Sequence, residues 1–260
     1  MSGKKMPVIF SGHGSPMLAL DNNDVTRGLC ELGDAILRKH GNPKAILAIS
    51  AHWYVKGTYV QRTGNPKQVY DMYGFPRELY EFKYPVKGDV ALADRVTDLL
   101  GERVAVKNDW GIDHGTWTVL CHMFPEADIP VVQLSVDATL SKDEIYEIGK
   151  SLAPLRDEAY LIFASGNVVH NLRQVDWDNP NGSVECIAFN ETITNYVVAR
   201  NDKAVIAYEA VPKAAYAVPT PEHYLPLIYC LGASEVETPT VFNNHCELGA
   251  IAMTGYAYGL

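Results

Sequence analysis

Pro7-Val8-Ile9-Phe10-Ser11-Gly12-His13-Gly14-Ser15-Pro16 decides the fold: a short apolar run ends in a tight turn that carries one imidazole. Glycines on both sides of His13 open backbone conformations closed to other residues and let the chain come close to whatever the ring holds. The arrangement recurs. Ala45-Ile46-Leu47-Ala48-Ile49 runs into Ser50-Ala51-His52-Trp53, and Leu161-Ile162-Phe163-Ala164 runs into Ser165-Gly166-Asn167-Val168-Val169-His170. Three strand-like runs each deliver a histidine just past a strand end. In open α/β sheets, ligand sites lie outside the carboxyl ends of strands. These histidines are therefore expected to converge on one metal.

Helical patterns separate the runs. Val25, Leu29, Leu32 and Ile36 share a face of a helix from Val25 to His40, with Asp24 as its cap and Gly41 at its end. Further helices are expected over Asp89 to Leu100, Thr116 to Phe124 and Val184 to Arg200, and one that Ser141 and Glu144 open as a capping box. Thr220 and Pro221 read as the cap and first position of another. Strands are expected at Thr58 to Arg62, Val104 to Val106, Pro130 to Val136, Thr240 to Phe242 and Leu248 to Thr254. This alternation predicts an α/β fold: a single domain over residues 1–260, with a central mostly parallel or mixed sheet and helices on both faces. Tyr70 to Tyr84 is an aromatic stretch broken by Gly74 and Pro76. It reads as an ordered loop that either roofs a site or packs on the core.

Composition narrows the function. With 47% hydrophobic residues in 260, the chain can bury a full core. A net charge of −9 argues against nucleic acid as a partner. No apolar run approaches the roughly 20 residues of a membrane span. Met1 to Lys5 is basic, but Pro7 to Phe10 is too short for a signal sequence, so a cytoplasmic location is expected. Cys30, Cys121, Cys186, Cys230 and Cys246 are scattered and form no CxxC pair, which speaks against a disulfide frame or a zinc knuckle.

Of the eight histidines, His40, His122 and His245 fall in a helix end, a helix interior and a polar loop, and receive no role. His13, His52, His114, His170 and His223 each sit at a strand end, in a glycine turn or at a helix start. Neutral imidazoles suit Zn, Fe, Cu or Ni. No HExxH or GxSxG occurs, so neither a zincin protease nor a serine hydrolase is indicated.

At these residues the chain resembles the class III (LigB-type) extradiol ring-cleavage dioxygenases, in their 4,5-DOPA branch. The segments that carry the resemblance run in the family's order. They are Gly12-His13-Gly14-Ser15-Pro16-Met17, Ser50-Ala51-His52-Trp53, Trp110-Gly111-Ile112-Asp113-His114-Gly115, Val132-Gln133-Leu134-Ser135, Ser165 to Leu172 and Pro219 to Leu227. Trp177 to Ala217 matches least. The resemblance implies a LigB-like fold and a metal held by His13, His52 and His223. His170 would be the acid–base residue and possible fourth ligand, and His114 would lie near the bound diol or oxygen. Glu222 is the rival to His223, because many relatives use a carboxylate there. Asp113 is expected to orient a neighbouring imidazole. The implied cofactor is Fe(II), with Zn(II) able to occupy the site, and the implied partners are a small catechol and O2. Two other readings stand beside this one: a zinc-dependent hydrolase, and a non-enzymatic metal- or peptide-binding protein of the Memo type.

Overall fold

A computed structural model describes residues 5–260; the basic segment Met1 to Lys4 lies outside the described residues. The strands are β1 (Val8–Gly12), β2 (Ala45–Val55), β3 (Tyr59–Val60), β4 (Ala105–Val106), β5 (Val131–Asp137), β6 (Tyr160–Gly166), β7 (Thr240–Phe242), β8 (Cys246–Glu247), β9 (Ile251–Ala252) and β10 (Gly255–Tyr258). The helices are α1 (Asp24–His40), α2 (Arg77–Glu81), α3 (Val90–Leu100), α4 (His114–Met123), α5 (Lys142–Leu152), α6 (Val184–Val198), α7 (Asp202–Ile206), α8 (Ala214–Ala217) and α9 (Leu225–Ala233). One eight-stranded sheet has the order β4-β3-β5-β2-β6-β1-β10-β7. Its centre, β5-β2-β6-β1, is parallel, and β10 and β7 close one edge antiparallel. The expected mixed sheet with helices on both faces is what forms.

The period-2 rule of strands sorts the central side chains. Ile9, Ile46, Ala48, Val131, Leu161 and Phe163 meet α1 and α4 on one face. Val8, Phe10, Leu47, Ile49, Val132 and Ile162 meet α3, α5 and α9 on the other. All of these are essentially buried. Each such aliphatic side chain contributes about 1.5–3 kcal/mol of transfer free energy. Parallel strands covered on both faces read as unbroken apolar runs for this reason. All five cysteines are free thiols, as expected. No helix among the described residues is long and apolar enough to cross a membrane.

Four expectations need correction. Asn23, not Asp24, caps α1: its side chain accepts from the Thr26 N–H, and Thr26 accepts in return from the Asn23 N–H. Second, β2 does not end at Ile49. Its pairing with β5 steps from Ile49↔Leu134 to Tyr54↔Val136, so Ser50 to Trp53 bulge opposite Ser135. His52 therefore sits on a bulge inside the strand, a device that re-aims side chains. Third, α9 begins at Leu225 rather than behind Thr220. Pro226 lacks an N–H and fits only a first turn, so residues before it form a separate turn closed by Tyr224 N–H to Pro221 carbonyl. Fourth, Leu248 to Thr254 is not one strand. Leu248 and Gly249 both take positive φ, which breaks the run and leaves β9 short.

Candidate metal centre

The carboxyl ends of β1 and β6 and the β2 bulge open on one side of the sheet, and five imidazoles meet there. His13 directly follows β1. Gly14 takes φ +56°, a left-handed conformation that turns the chain away from the ring it follows. His114 opens α4, whose cap is Asp113. His170 follows β6, and its N–H donates to the Ala217 carbonyl. His223 lies in the turn before α9, where its carbonyl accepts from the Asn167 N–H. Gly115 makes the approach possible: a Cβ there would stand 2.8 Å from the His52 ring and 3.0 Å from Ser50 Oγ.

The ring centroids of His13, His52 and His223 form a nearly equilateral triangle, with sides of 4.9, 5.2 and 5.2 Å. His114 lies 3.9 Å from His52, and His170 stacks flat on His223 at 3.5 Å. All five line one cavity of about 380 Å³.

Hydrogen bonds assign the tautomers. Ser165 Oγ donates to the Gly115 carbonyl, so it accepts from His13 Nδ1–H at 2.8 Å. His52 Nδ1 is 3.1 Å from one oxygen of Asp71, and His114 Nδ1 is 3.0 Å from the other. The second oxygen also accepts the His114 backbone N–H at 3.0 Å. His223 Nδ1 is 3.2 Å from Glu222 Oε1. In His13, His52 and His223, Nδ1 faces an acceptor, which leaves each Nε2 a lone pair, whereas His114 Nδ1 makes no hydrogen bond within the protein.

Two of those lone pairs face each other: His13 Nε2 and His52 Nε2 are 3.1 Å apart. The buried His223 Nε2 has no hydrogen-bond partner within the protein. Neutral nitrogens this close repel unless a proton or a cation lies between them, so the donor set fits a metal ion. His13, His52 and His114 also offer nitrogens all within 4.8 Å of one another, as do the ligand atoms of His170, Glu222 and His223.

Electrostatics agree. Burial, then the neighbouring imidazoles, hold His13 and His223 well below the ordinary histidine pKa. Burial, then His52, lowers His170 to about 4. Burial opposes charge on His52 too, but the Asp71 hydrogen bond and the nearby carboxylates outweigh it and raise its pKa. Burial likewise opposes charge on Asp71, yet its bonds to His114 and His52 hold it well below the carboxylate range. Burial thus disfavours charge on His13, His170 and His223, while Asp71 favours it on His52.

Asp113 does not orient an imidazole. It is fully buried and accepts from Ser50 Oγ at 2.7 Å, from Trp110 Nε1 at 3.0 Å and from Gln133. Its hydrogen-bond link to His52 runs through Ser50, whose Oγ accepts the His52 N–H. Asp71 does the orienting instead, and sequence reasoning missed it. The one available signal was a lone acid in the aromatic run Tyr70-Asp71-Met72-Tyr73. That loop serves both expected purposes. Tyr70 and Phe82 pack on Trp117, while Met72, Tyr73 and Phe75 line the cavity. His122 donates to the Leu18 carbonyl and is structural.

Known proteins are similar to this chain in sequence and fold. Residues 7–256 match the family described as the catalytic LigB subunit of aromatic ring-opening dioxygenase. A 4,5-DOPA dioxygenase extradiol of Escherichia coli K12 is 40% identical, over all of this chain and 97% of its own. Its namesake in Beta vulgaris is 35% identical, over 96% and 95%. The crystal structure of an uncharacterized Escherichia coli K12 protein superposes with a TM-score of 0.84 at 38% identity, covering 98% of this chain and all of that one. Such dioxygenases are metal-dependent and act on a small aromatic substrate with O2. The chain belongs to the LigB family and is an extradiol ring-cleavage dioxygenase.

Proposed function

We propose that the protein opens the ring of a catechol of the DOPA type with O2, at a metal held by His13, His52 and His223, with Fe(II) as the active ion. The triangle of their three rings is the observation that carries this reading. Glu222 is a weaker ligand candidate, since its Oε1 already takes His223 Nδ1 and the Thr220 hydroxyl. A cation there would supply Lewis acidity toward the catechol hydroxyls and, as Fe(II), electrons for O2.

The protein's own groups do the rest. His170 is neutral at physiological pH and borders the cavity, so it can take the proton of the second hydroxyl. His114 is held by its backbone N–H to Asp71 and its ring lines the cavity, where it can meet developing oxygen charge. Asp71 and Glu222 place carboxylates behind two of the three ligands, so neutral imidazoles still gain charge balance.

Anaerobic loading with Fe(II), followed by DOPA and air, tests the reading on an oxygen electrode. Oxygen uptake with a yellow ring-opened product is expected, and no uptake from Zn(II)-loaded protein, because zinc has no redox chemistry. Zinc outcompetes Fe(II) at such donor sets, so loading must start from stripped protein. Silence of the Fe(II) form toward a range of catechols would favour a metal-bound hydroxide and hydrolysis.

Asp71→Asn retains shape but loses the charge behind His52 and His114. Chelator competition should show Zn(II) affinity reduced about 10–100-fold. Glu222→Gln should cost less, since Glu222 supports one ring only. Equal affinities for Asp71→Asn and the parent would remove Asp71 from the centre.

A further inference from the structure

We propose that Tyr73 and Trp177 are the specificity-determining residues for the ring substituent, holding the amino-acid tail of a DOPA-type catechol while the histidines hold its hydroxyls. This rests on the ring-opening reading above and adds the substituent's contacts to it.

The lining is graded by exposure. His13, His114 and His223 are buried, whereas Tyr73 and Trp177 border the same cavity and are 92% and 71% exposed. A catechol whose two hydroxyls meet the imidazoles carries its substituent on the far side of the ring, toward the exposed residues. The tail of DOPA ends in an ammonium and a carboxylate, and each needs a partner or water. No Lys or Arg is among the described residues that line the cavity, and the Asp71 carboxylate is taken by His52 and the His114 N–H. Ser15, also in the lining, caps the turn Pro16–Leu20. The two exposed aromatics suit both charges. Their ring faces attract an ammonium, and the phenol O–H and indole N–H donate to a carboxylate. Neither tip has a hydrogen-bond partner among the described residues, whereas the Trp110 and Trp117 indoles donate to Asp113 and the Val69 carbonyl. Both loops are anchored beside the aromatic they carry. Asp71 is fixed as above, and the Asp176 N–H donates to the Leu248 carbonyl. A lone exposed aromatic is ordinary, but these two stand on separate loops at the mouth of one cavity.

Calorimetry on Zn(II)-loaded protein, which is inert to turnover, tests this with DOPA and with catechol, which lacks the tail. Trp177→Ala should weaken DOPA binding about tenfold and Tyr73→Ala about threefold, as expected for one or two such contacts at an exposed site. Catechol binding should change by less than about twofold in either variant, because so exposed a side chain adds little to the fold. Trp177→Phe keeps a ring and removes the donor, and should fall between the parent and Trp177→Ala. On the Fe(II) form the same losses should appear in KM for DOPA rather than in kcat. Equal losses for catechol and DOPA overturn the proposal, since a merely structural role would weaken both. So does DOPA affinity at the parental value in both alanine variants. Failure of the parent to cleave any catechol instead overturns the ring-opening reading itself, whatever the rim does to binding.

Discussion

His52→Ala should strip the centre of its ion and with it all ring opening. His52 supplies one corner of the imidazole triangle, and its Nε2 stands 3.1 Å from that of His13. Losing an outer partner typically costs about 10–100-fold in affinity, and losing a ligand costs more. Elemental analysis after purification should find the variant without metal, and the oxygen electrode should find it silent. Asp71 remains bound to the His114 backbone N–H, so the variant should still fold, which circular dichroism checks. Product formed at parental rates by His52→Ala would end the metal assignment. The same experiment on Glu222→Ala separates the rivals for the third position. If Glu222 were the ligand, that variant would also come out empty.

His170→Gln should give the opposite pattern, with metal present and turnover lost. The His170 ring lies flat on His223, 3.5 Å between centroids, while the nearby Glu222 carboxylate bonds to His223. A base lost from the proton transfer costs typically 10²–10⁴-fold. Metal content and KM should change little. If the metal leaves with the side chain, His170 is a fourth ligand rather than a base. Its depressed pKa has a cost as well as a use. Burial keeps the ring unprotonated at neutral pH, but an imidazole lowered to about 4 is a weaker base than a free one.

The central sheet and its helices were legible because both signals are local. Val8 to Phe10, Ala45 to Ile49 and Leu161 to Ala164 are apolar on both faces, as buried parallel strands must be, and Ser141 with Glu144 marks a helix start wherever it occurs. The five histidines that line the cavity stood out for a related reason: each stands at a backbone punctuation point. What stayed hidden depends on partners distant in the chain. The β2 bulge follows from pairing with β5, which no run of residues 45–55 encodes. Asp71 looks like any loop acid until α4 brings His114 to it. Tyr73 and Trp177 look like ordinary exposed aromatics until the two loops that carry them border one cavity.

The three corners of the imidazole triangle come from three separate regions: the β1 turn, the β2 bulge and the turn before α9. No two lie close in sequence, so no partially assembled sheet offers an ion all three nitrogens. An ion held there would be captured late and would reward only the finished topology. Occupancy of this centre should thus report native structure in the cell, and a chain stalled before α9 docks would pass through metal-rich surroundings uncommitted.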